Sequence, residues 1–167
     1  RFRIVHVVFG RGREHEVIEV STFRALLGAD TADQVAGNEK TSRAELAGKT
    51  HVVDASGRVL RDNVWGPQIE DAARRDFTVN AMYYDPVTRT VVDYHGGFAD
   101  VRDRVLRMIG DPATRYREDP VRLLRVARFV AKLGFSIEPQ TLKPVQSMAF
   151  SLTQVPSSRL FDEMIKL

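Results

Sequence analysis

The sequence predicts an α+β fold, in which a head of mixed or antiparallel strands precedes an all-helical segment. In the first part of the chain, short runs rich in Val and Ile alternate with glycine-containing turns, a pattern typical of strand hairpins. After Gly110 the pattern changes, because three acidic residues are each followed by Pro, as at the first turn of a helix. We therefore divide the chain into residues 1–110 and residues 111–167.

The first segment begins with a predicted hairpin. Residues 2–9 and 16–22 are rich in β-branched residues and partly alternate apolar with polar side chains, which favours strands. Residues 51–60 predict a second, shorter hairpin. Between the two, residues 28–50 are polar and aperiodic, so we predict a mobile loop there.

The rest of the first segment predicts short elements. Pro67 suits the first turn of a helix over residues 67–75, whereas residues 77–84 are apolar and fit a helix or a strand equally. The remaining expectations are strands at 90–94 and 105–109 and a helix at 98–104.

Helices are expected throughout the second segment, at residues 120–133, 139–150 and 157–167. The middle one is the least regular, because Pro144 interrupts it.

Composition excludes several classes of site. The 167 residues include no Cys, so disulfides, thiol catalysis and Cys-ligated zinc are ruled out. No apolar run is long enough to span a membrane, and a cytoplasmic protein is the simplest interpretation. The net charge is only +3, but eight Arg accompany four Asp or Glu between residues 102 and 128. Such a stretch suits phosphate-bearing partners, although a solvated helix face would also explain it.

The first candidate site is the run from Arg74 to Asn80. An ionised Asp76 beside two arginines can bind a ribose hydroxyl or lie near a metal, and Arg75 offers a planar fork that matches phosphate. If the preceding helix continues, Asn80 shares the face of Asp76, four residues away. The same residues also fit a surface ion pair followed by a buried strand.

The second candidate site lies at the start of the helix predicted over residues 120–133. On a helical wheel Asp119 and Arg122 fall within the apolar face, while Arg125 and Arg128 lie progressively outside it. An arginine on an apolar face needs a partner, and Asp119, one turn away, can pair with Arg122.

Together, a carboxylate acceptor and a guanidinium donor at this site can hydrogen-bond the edge of a nucleobase without a template strand. Arg125 and Arg128 then suit contacts to a triphosphate. The alternative is that Asp119 merely caps the helix and that the arginines extend to water.

A third candidate is Glu19, a carboxylate inside the second predicted strand. It could assist a metal-dependent phosphoryl-transfer site, although most such residues simply face solvent.

Taken in order, these segments resemble the class II nucleotidyltransferases, a group that contains bacterial poly(A) polymerases and CCA-adding tRNA nucleotidyltransferases. The resemblance covers nearly the whole chain. The opening and closing segments look more like those of a poly(A) polymerase. The resemblance is carried by Arg1-Phe2-Arg3 with His6-Val7, Ile18-Glu19-Val20 with Thr22-Phe23-Arg24, Arg61-Asp62-Asn63, Glu70-Asp71-Ala72 with Arg74 to Asn80, Asp93-Tyr94 with Gly96-Gly97, and Arg115 to Phe129.

The resemblance implies a partial nucleotidyltransferase head of the polymerase beta type, followed by the start of a helical neck that recognises the base. We accordingly predict catalytic roles for Asp76 and Glu19. Asp119 and Arg122 would read the incoming base. The predicted nucleotide-binding residues are Arg75, Asn80, Asp119, Arg122, Arg125 and Arg128.

The resemblance also implies a cofactor whose ligands are missing here. The family's glycine-rich segment and its paired aspartates, which hold two Mg²⁺ ions, would precede Arg1. Because two-metal catalysis needs those ligands, we expect a fragment that is inactive alone and contains no metal ligand itself. The expected reaction of the whole protein is transfer of AMP from ATP to an RNA 3′ end. The alternatives are CCA addition to tRNA and a non-catalytic RNA-binding module.

Overall fold

The computed structural model describes residues 4–11, 14–27, 33–35, 49, 51–54, 59–62 and 64–167. Strands β1 (Ile4–Arg11) and β2 (Glu14–Ser21) pair antiparallel, with His6 opposite Glu19. The first predicted hairpin is therefore confirmed.

A second sheet contains a strand that the sequence did not reveal. Strand β3 (Asp33–Val35) pairs in parallel with β4 (His51–Asp54), and β4 pairs antiparallel with β5 (Val59–Asp62). The hairpin at 51–60 is thus confirmed, whereas a loop over all of residues 28–50 is wrong for β3. A three-residue strand has no readable period, and pairing with β4 decides its conformation. Apart from β3 and residue 49, the predicted loop lies outside the described residues.

Helix α1 (Gln68–Ala73) follows Pro67 and is shorter than predicted. The ambiguous run after it divides in two: a 3₁₀ turn (Thr78–Asn80) precedes strand β6 (Met82–Asp85). Strand β6 pairs antiparallel with β7 (Thr90–Asp93), as a hairpin.

The next elements join the two predicted segments. Helix α2 (Gly97–Asp103) leads into β8 (Val105–Leu106), which pairs in parallel with β9 (Ser136–Ile137). Helices α3 (Pro112–Glu118) and α4 (Val121–Leu133) lie between these two strands in sequence.

Two of the three predicted Pro-containing helix starts are capped by the acidic side chain. Asp111 accepts from the Thr114 amide at 2.8 Å, and Glu138 accepts from the Thr141 amide at 2.7 Å. The helix expected over residues 139–150 is broken at Pro144, which lacks the amide hydrogen that a continuous helix needs. The observed elements there are α5 (Pro139–Leu142), α6 (Val145–Met148) and a 3₁₀ turn (Ala149–Gln154), and α7 (Ser157–Met164) follows.

One hydrophobic core extends across the predicted division at Gly110. Tyr116 of α3 is fully buried in it, and its hydroxyl donates to the Thr141 carbonyl at 2.9 Å. Burial raises the pKa of Tyr116 to about 12. The division into residues 1–110 and 111–167 stays a prediction, since packing is continuous through it. The buried core side chains are Phe77, Leu106, Met108, Tyr116, Leu123 and Val126.

Across the described part of the chain, none of the helices combines the length and apolar character needed to cross a bilayer.

The carboxylate of Asp71 holds α1 against the segment that follows β2. Asp71 is 2% exposed and accepts from the Arg24 amide at 3.0 Å, the Tyr83 hydroxyl at 2.8 Å and Arg75 Nη2 at 2.8 Å. Burial opposes ionisation of Asp71, but the hydrogen bonds from Arg75, Tyr83 and the Arg24 amide hold its pKa below the ordinary value. An ionised carboxylate is therefore part of the folded structure.

Replacing Asp71 by Asn should destabilise the protein at neutral pH by about 1–3 kcal/mol, because three donors would lose a charged acceptor. The folded-state pKa is lowered, so this stabilisation is present above the unfolded pKa of about 3.9 and is lost as pH falls through the folded value. Urea denaturation over a pH series should show the gap between wild type and Asp71→Asn closing below about pH 4. The exposed carboxylate Asp162 supplies the control, Asp162→Asn. A pH-independent gap would contradict the assignment.

Gly97 allows α2 to approach the turn that follows Asp76. A Cβ at this position would contact the Thr78 carbonyl, at 2.8 Å from its carbon and closer still to its oxygen. Gly97→Ala should therefore destabilise the protein by about 3 kcal/mol, since backbone must shift. In Gly134→Ala the new Cβ meets open space, and only the left-handed φ of +65° costs about 1 kcal/mol. Thermal unfolding of both variants tests this, and equal losses would show that the close approach is unimportant.

Candidate functional site

Asp76 lies in the turn after α1 and is only 9% exposed. Its Oδ1 accepts from the Phe77 amide at 2.8 Å and from Asn80 Nδ2 at 3.1 Å, and its Oδ2 accepts from Arg125 Nε at 2.6 Å. The predicted proximity of Asp76 and Asn80 is confirmed. The continuing helix is wrong, because α1 ends at Ala73 and the 3₁₀ turn brings the two side chains together.

The sequence places Arg75 next to Asp76, but in the structure these two side chains do not pair. The Arg75 guanidinium binds Asp71, four residues earlier on α1, with Nη2 2.8 Å from Oδ2. It also lies 5.9 Å from the centre of the Tyr83 ring. Adjacent residues point in different directions, and the turn that follows α1, closed by the hydrogen bond from the Arg75 amide to the Ala72 carbonyl, brings the Arg75 side chain back to Asp71. The Arg75 side chain is 45% exposed, so Asp71 fixes a guanidinium that remains open to solvent.

The direct ion pair predicted between Asp119 and Arg122 is wrong. Arg122 Nη1 donates to the Arg115 carbonyl at 2.6 Å and to Glu118 Oε2 at 3.1 Å. Asp119 Oδ2 instead accepts from Arg159 Nη2 at 2.9 Å. The reason is that Asp119 has extended backbone angles, φ −150° and ψ 96°, before α4 begins. A helical wheel therefore misplaces its side chain.

Arg125 and Arg128 are both held by Glu163 of α7. Arg125 Nη1 donates to Glu163 Oε1 at 3.3 Å. Arg128 Nε lies 2.8 Å from Glu163 Oε2 as an ion pair whose angle is not that of a hydrogen bond. Both guanidiniums also lie over the Phe129 ring, at 5.2 and 4.6 Å from its centre. Arg128 is 9% exposed, and thus not on a solvated face, because α7 covers this side of α4.

Two residues that contact the candidate site residues, Arg115 and Glu163, were not recognised from the sequence. Buried Arg115 donates through Nη2 to the carbonyls of Arg74 and Arg75, at 2.7 and 2.8 Å, and through Nη1 to Glu118 at 2.6 Å. Burial, with Arg122 nearby, lowers the pKa of Arg115 to about 10. Glu163 is the second, and its only sequence signal was a carboxylate one turn after Arg159 on an amphipathic helix.

Glu19, the third candidate, lies on β2 and takes no part in the ion pairs described above. Its side chain is 67% exposed on β2 and 3.5 Å from His6. Within the described ranges, no hydrogen bond or ion pair joins Glu19 to Asp76. Its catalytic role stays a prediction.

In the described ion pairs that link Asp76, α3, α4 and α7, five guanidiniums accompany four carboxylates. Such an excess attracts an anionic ligand, and planar guanidiniums match phosphate oxygens. The guanidiniums are those of Arg115, Arg122, Arg125, Arg128 and Arg159, and the carboxylates are those of Asp76, Glu118, Asp119 and Glu163.

The described residues do not fit a Mg²⁺ site. The part of the chain that the structure describes contains no cluster of three or more Asp, Glu or His side chains able to hold a metal. Both oxygens of Asp76 already accept hydrogen bonds from protein groups, including a guanidinium. A magnesium ion prefers several free oxygen ligands. The predicted ligands upstream of residue 1 lie outside the chain, so no catalytic step through the metal follows from these side chains.

Two family models match the chain. One is described as the poly A polymerase head domain and matches residues 1–107, and the other, described as the probable RNA and SrmB-binding site of polymerase A, matches residues 134–167.

Poly(A) polymerases match the chain from end to end, and CCA-adding enzymes match part of it. Poly(A) polymerase I of Escherichia coli O6:H1 is 45% identical over 167 residues, which are 100% of this chain and 32% of that protein. Poly(A) polymerase I of Haemophilus influenzae is 46% identical over the same length, covering 33% of its own. The chain thus spans about one third of the relatives it matches. The CCA-adding enzyme of Limosilactobacillus fermentum is 44% identical over 98 residues, 59% of this chain and 24% of that protein.

Solved structures give the same grouping. The Bacillus stearothermophilus CCA-adding enzyme in complex with CTP has a TM-score of 0.68 at 29% identity, covering 98% of this chain and 32% of that one. The Thermotoga maritima CCA-adding enzyme complexed with tRNA has a TM-score of 0.53 at 30% identity, covering 59% and 25%. The α+β fold and the resemblance are confirmed, and the chain belongs to the poly(A) polymerase head-domain family of class II nucleotidyltransferases.

Proposed function

We propose that the protein carrying this chain transfers AMP from ATP to the 3′ hydroxyl of RNA and releases pyrophosphate. The relatives that match the whole chain are poly(A) polymerases, and this supports the choice. ATP and the RNA 3′ end are then its partners, and the cytoplasm its location. Because the chain spans about a third of those relatives, the activity belongs to the longer polypeptide. The Mg²⁺ ligands would lie upstream of residue 1, and this chain by itself would be inactive.

The observation that carries the proposal is the ion pair between Asp76 and Arg125. Arg125 Nε and Asp76 Oδ2 are 2.6 Å apart, although 49 residues separate them in sequence. This contact joins the motif carboxylate of the head to α4, whose start carries the predicted base-reading residues. A nucleotide bound here can therefore contact both segments together.

The arrangement suits an incoming nucleotide. Arg75 and Arg125 offer partly exposed guanidiniums to the triphosphate, with side chains that are 45% and 28% exposed. Phosphoryl transfer depends on positioning and charge compensation more than on covalent chemistry by the protein. Arg128 would reinforce the positive potential from its buried position, and Asn80 would hold Asp76 in place for the ribose.

The base edge would be read by two separate groups in place of the ion pair we had predicted. Asp119 offers an acceptor and Arg122 a donor, and adenine presents an amino donor and a ring-nitrogen acceptor along its Watson–Crick edge. Both described contacts of Arg122 use Nη1. Its remaining nitrogens are the ones that would face the base.

A second candidate function is CCA addition to tRNA. It is favoured by the solved CCA-adding enzyme with CTP, which covers 98% of this chain. Cytosine also presents an amino donor beside a ring-nitrogen acceptor, but its smaller ring places that edge nearer the sugar. The position of Asp119 and Arg122, and not hydrogen-bond chemistry alone, would therefore separate ATP from CTP. A third candidate, a non-catalytic RNA-binding module, would make RNA binding independent of nucleotide.

Incorporation assays on the full-length protein should separate these functions. With an unstructured RNA primer we expect extension with ATP alone and little with CTP alone. Strong CTP incorporation on tRNA lacking its 3′ end would defeat polyadenylation in favour of CCA addition. Absence of incorporation with either nucleotide, in the presence of Mg²⁺, would favour the binding module.

Arg122→Ala should weaken ATP binding to the full-length protein by about 1.5–3 kcal/mol, because a charged hydrogen bond to the base is lost. Arg117→Ala is the matched control, since Arg117 is an exposed arginine of α3 five residues away. Isothermal titration of both variants, with thermal unfolding recorded in parallel, tests the role. Unchanged ATP affinity in a folded Arg122→Ala variant would remove Arg122 from the site.

A further inference from the structure

We propose that Arg159 and Glu163 of α7 are positioning residues for the nucleotide site, each acting on a different part of the nucleotide. The two lie four residues apart and thus one turn apart on the same helix. Arg159 holds the predicted base-reading carboxylate, and Glu163 holds the predicted phosphate-binding arginines. This inference rests on the proposed function and adds a role for α7.

Glu163 sets the position of two guanidiniums at once. It is 8% exposed, and its two oxygens lie 3.3 Å from Arg125 Nη1 and 2.8 Å from Arg128 Nε. Arg125 is fixed from its other side by Asp76 at 2.6 Å. With Nε and Nη1 both engaged, the orientation of the guanidinium plane is determined. A buried acid between two arginines would be costly without them, so the three groups form one unit.

Arg159 sets the position of the Asp119 carboxylate. Its Nη2 lies 2.9 Å from Oδ2, while Oδ1 accepts a long hydrogen bond, 3.3 Å, from the Val121 amide. Asp119 lies outside the helical turn, where backbone geometry alone fixes its side chain poorly. The contact from α7 therefore determines which oxygen of Asp119 points away from the helix. Their side chains are 42% and 28% exposed, so the pair borders solvent that a base could displace.

The two contacts predict different kinetic effects. A residue that orients the base-reading carboxylate should change the selection between ATP and CTP. A residue that orients the arginines bound to phosphate should change the affinity for both nucleotides equally, because the triphosphate is common to them. Pre-organisation of side chains by surrounding contacts is a general source of affinity.

Steady-state extension by the full-length protein, with ATP and with CTP, tests Glu163. In Glu163→Gln we expect KM to rise about tenfold for both nucleotides, the size of one lost charged interaction, with the ATP to CTP ratio unchanged. Asp162→Asn removes the same charge from the adjacent, exposed position of α7 and should leave KM unchanged. Equal KM values in the two variants, or a fall in KM in Glu163→Gln, would overturn the role of Glu163.

Arg159 is tested by selectivity. Arg159→Ala should lower the ratio of kcat/KM for ATP to that for CTP by about tenfold, because Asp119 is no longer oriented. Arg159→Lys, which keeps a cation near Asp119, should retain most of the wild-type ratio. A merely structural role would lower both kcat/KM values together and leave the ratio unchanged, and that result would overturn the role of Arg159.

Folding and the proposed function are separated from this inference by two measurements. Thermal unfolding identifies a variant that fails to fold, and if Glu163→Gln does so, the partly exposed Arg159 variants still test α7. Wild-type extension reports the proposed function independently. An active wild-type enzyme whose α7 variants match Asp162→Asn contradicts the inference alone, whereas an inactive wild type contradicts the proposed function.

Discussion

The ion pair between Asp76 and Arg125 is the contact on which the site depends. Its 2.6 Å separation brings a turn of the head against the second turn of α4, and both side chains are largely removed from solvent. Two charges in such surroundings are stable only when their remaining hydrogen-bonding capacity is filled. Asn80 and the Phe77 amide donate to Oδ1 of Asp76, and Glu163 accepts a hydrogen bond from Nη1 of Arg125.

This requirement explains why other charged groups surround the pair. Arg115 connects α3 to the Asp76 motif, because its guanidinium donates to the carbonyls of Arg74 and Arg75, immediately before Asp76. Glu118 in turn connects Arg115 to Arg122, with its Oε2 2.6 and 3.1 Å from the two Nη1 atoms. Hydrogen bonds and ion pairs thus connect the backbone of the Asp76 motif to the start of α4, where the predicted base-reading residues lie. A substitution in one member would be felt by the others, so single-residue effects here should not be additive.

The same ion pairs affect both the stability of the fold and the proposed binding of a nucleotide. Most arginines of the site are paired with carboxylates of the protein, which limits the repulsion between like charges. Arg75 shows the compromise well: Asp71 fixes the guanidinium while nearly half of the side chain remains in contact with solvent. Burial acts against the charge of Arg75, but the hydrogen bonds and the Coulomb attraction of Asp71 outweigh it and raise the pKa of Arg75. A phosphate would meet a donor that is already charged and oriented.

Local chemistry made much of the fold predictable from sequence. The acidic residues before Pro112 and Pro139 marked helix starts, because a carboxylate cap and a fixed proline φ act within a few residues. The alternation in β1 and β2 predicted their hairpin for a similarly local reason. Strand β3 was missed because three residues carry no period, and its conformation depends on partners 19 residues further on.

The sequence by itself determined most helix and strand types, the family motifs and the residues of the Asp76 motif, but not strand β3 or the roles of Arg115 and Glu163. Only the tertiary structure decided the pairing among them. Asp76 binds Arg125 and not the adjacent Arg75, and Asp119 binds Arg159 and not Arg122. The physical reason is that charged side chains choose partners by distance in space, and burial makes that choice energetically large for Asp76, whose side chain is 9% exposed. Spacing along the chain fixes a helix face, but it does not say which other helix will cover that face.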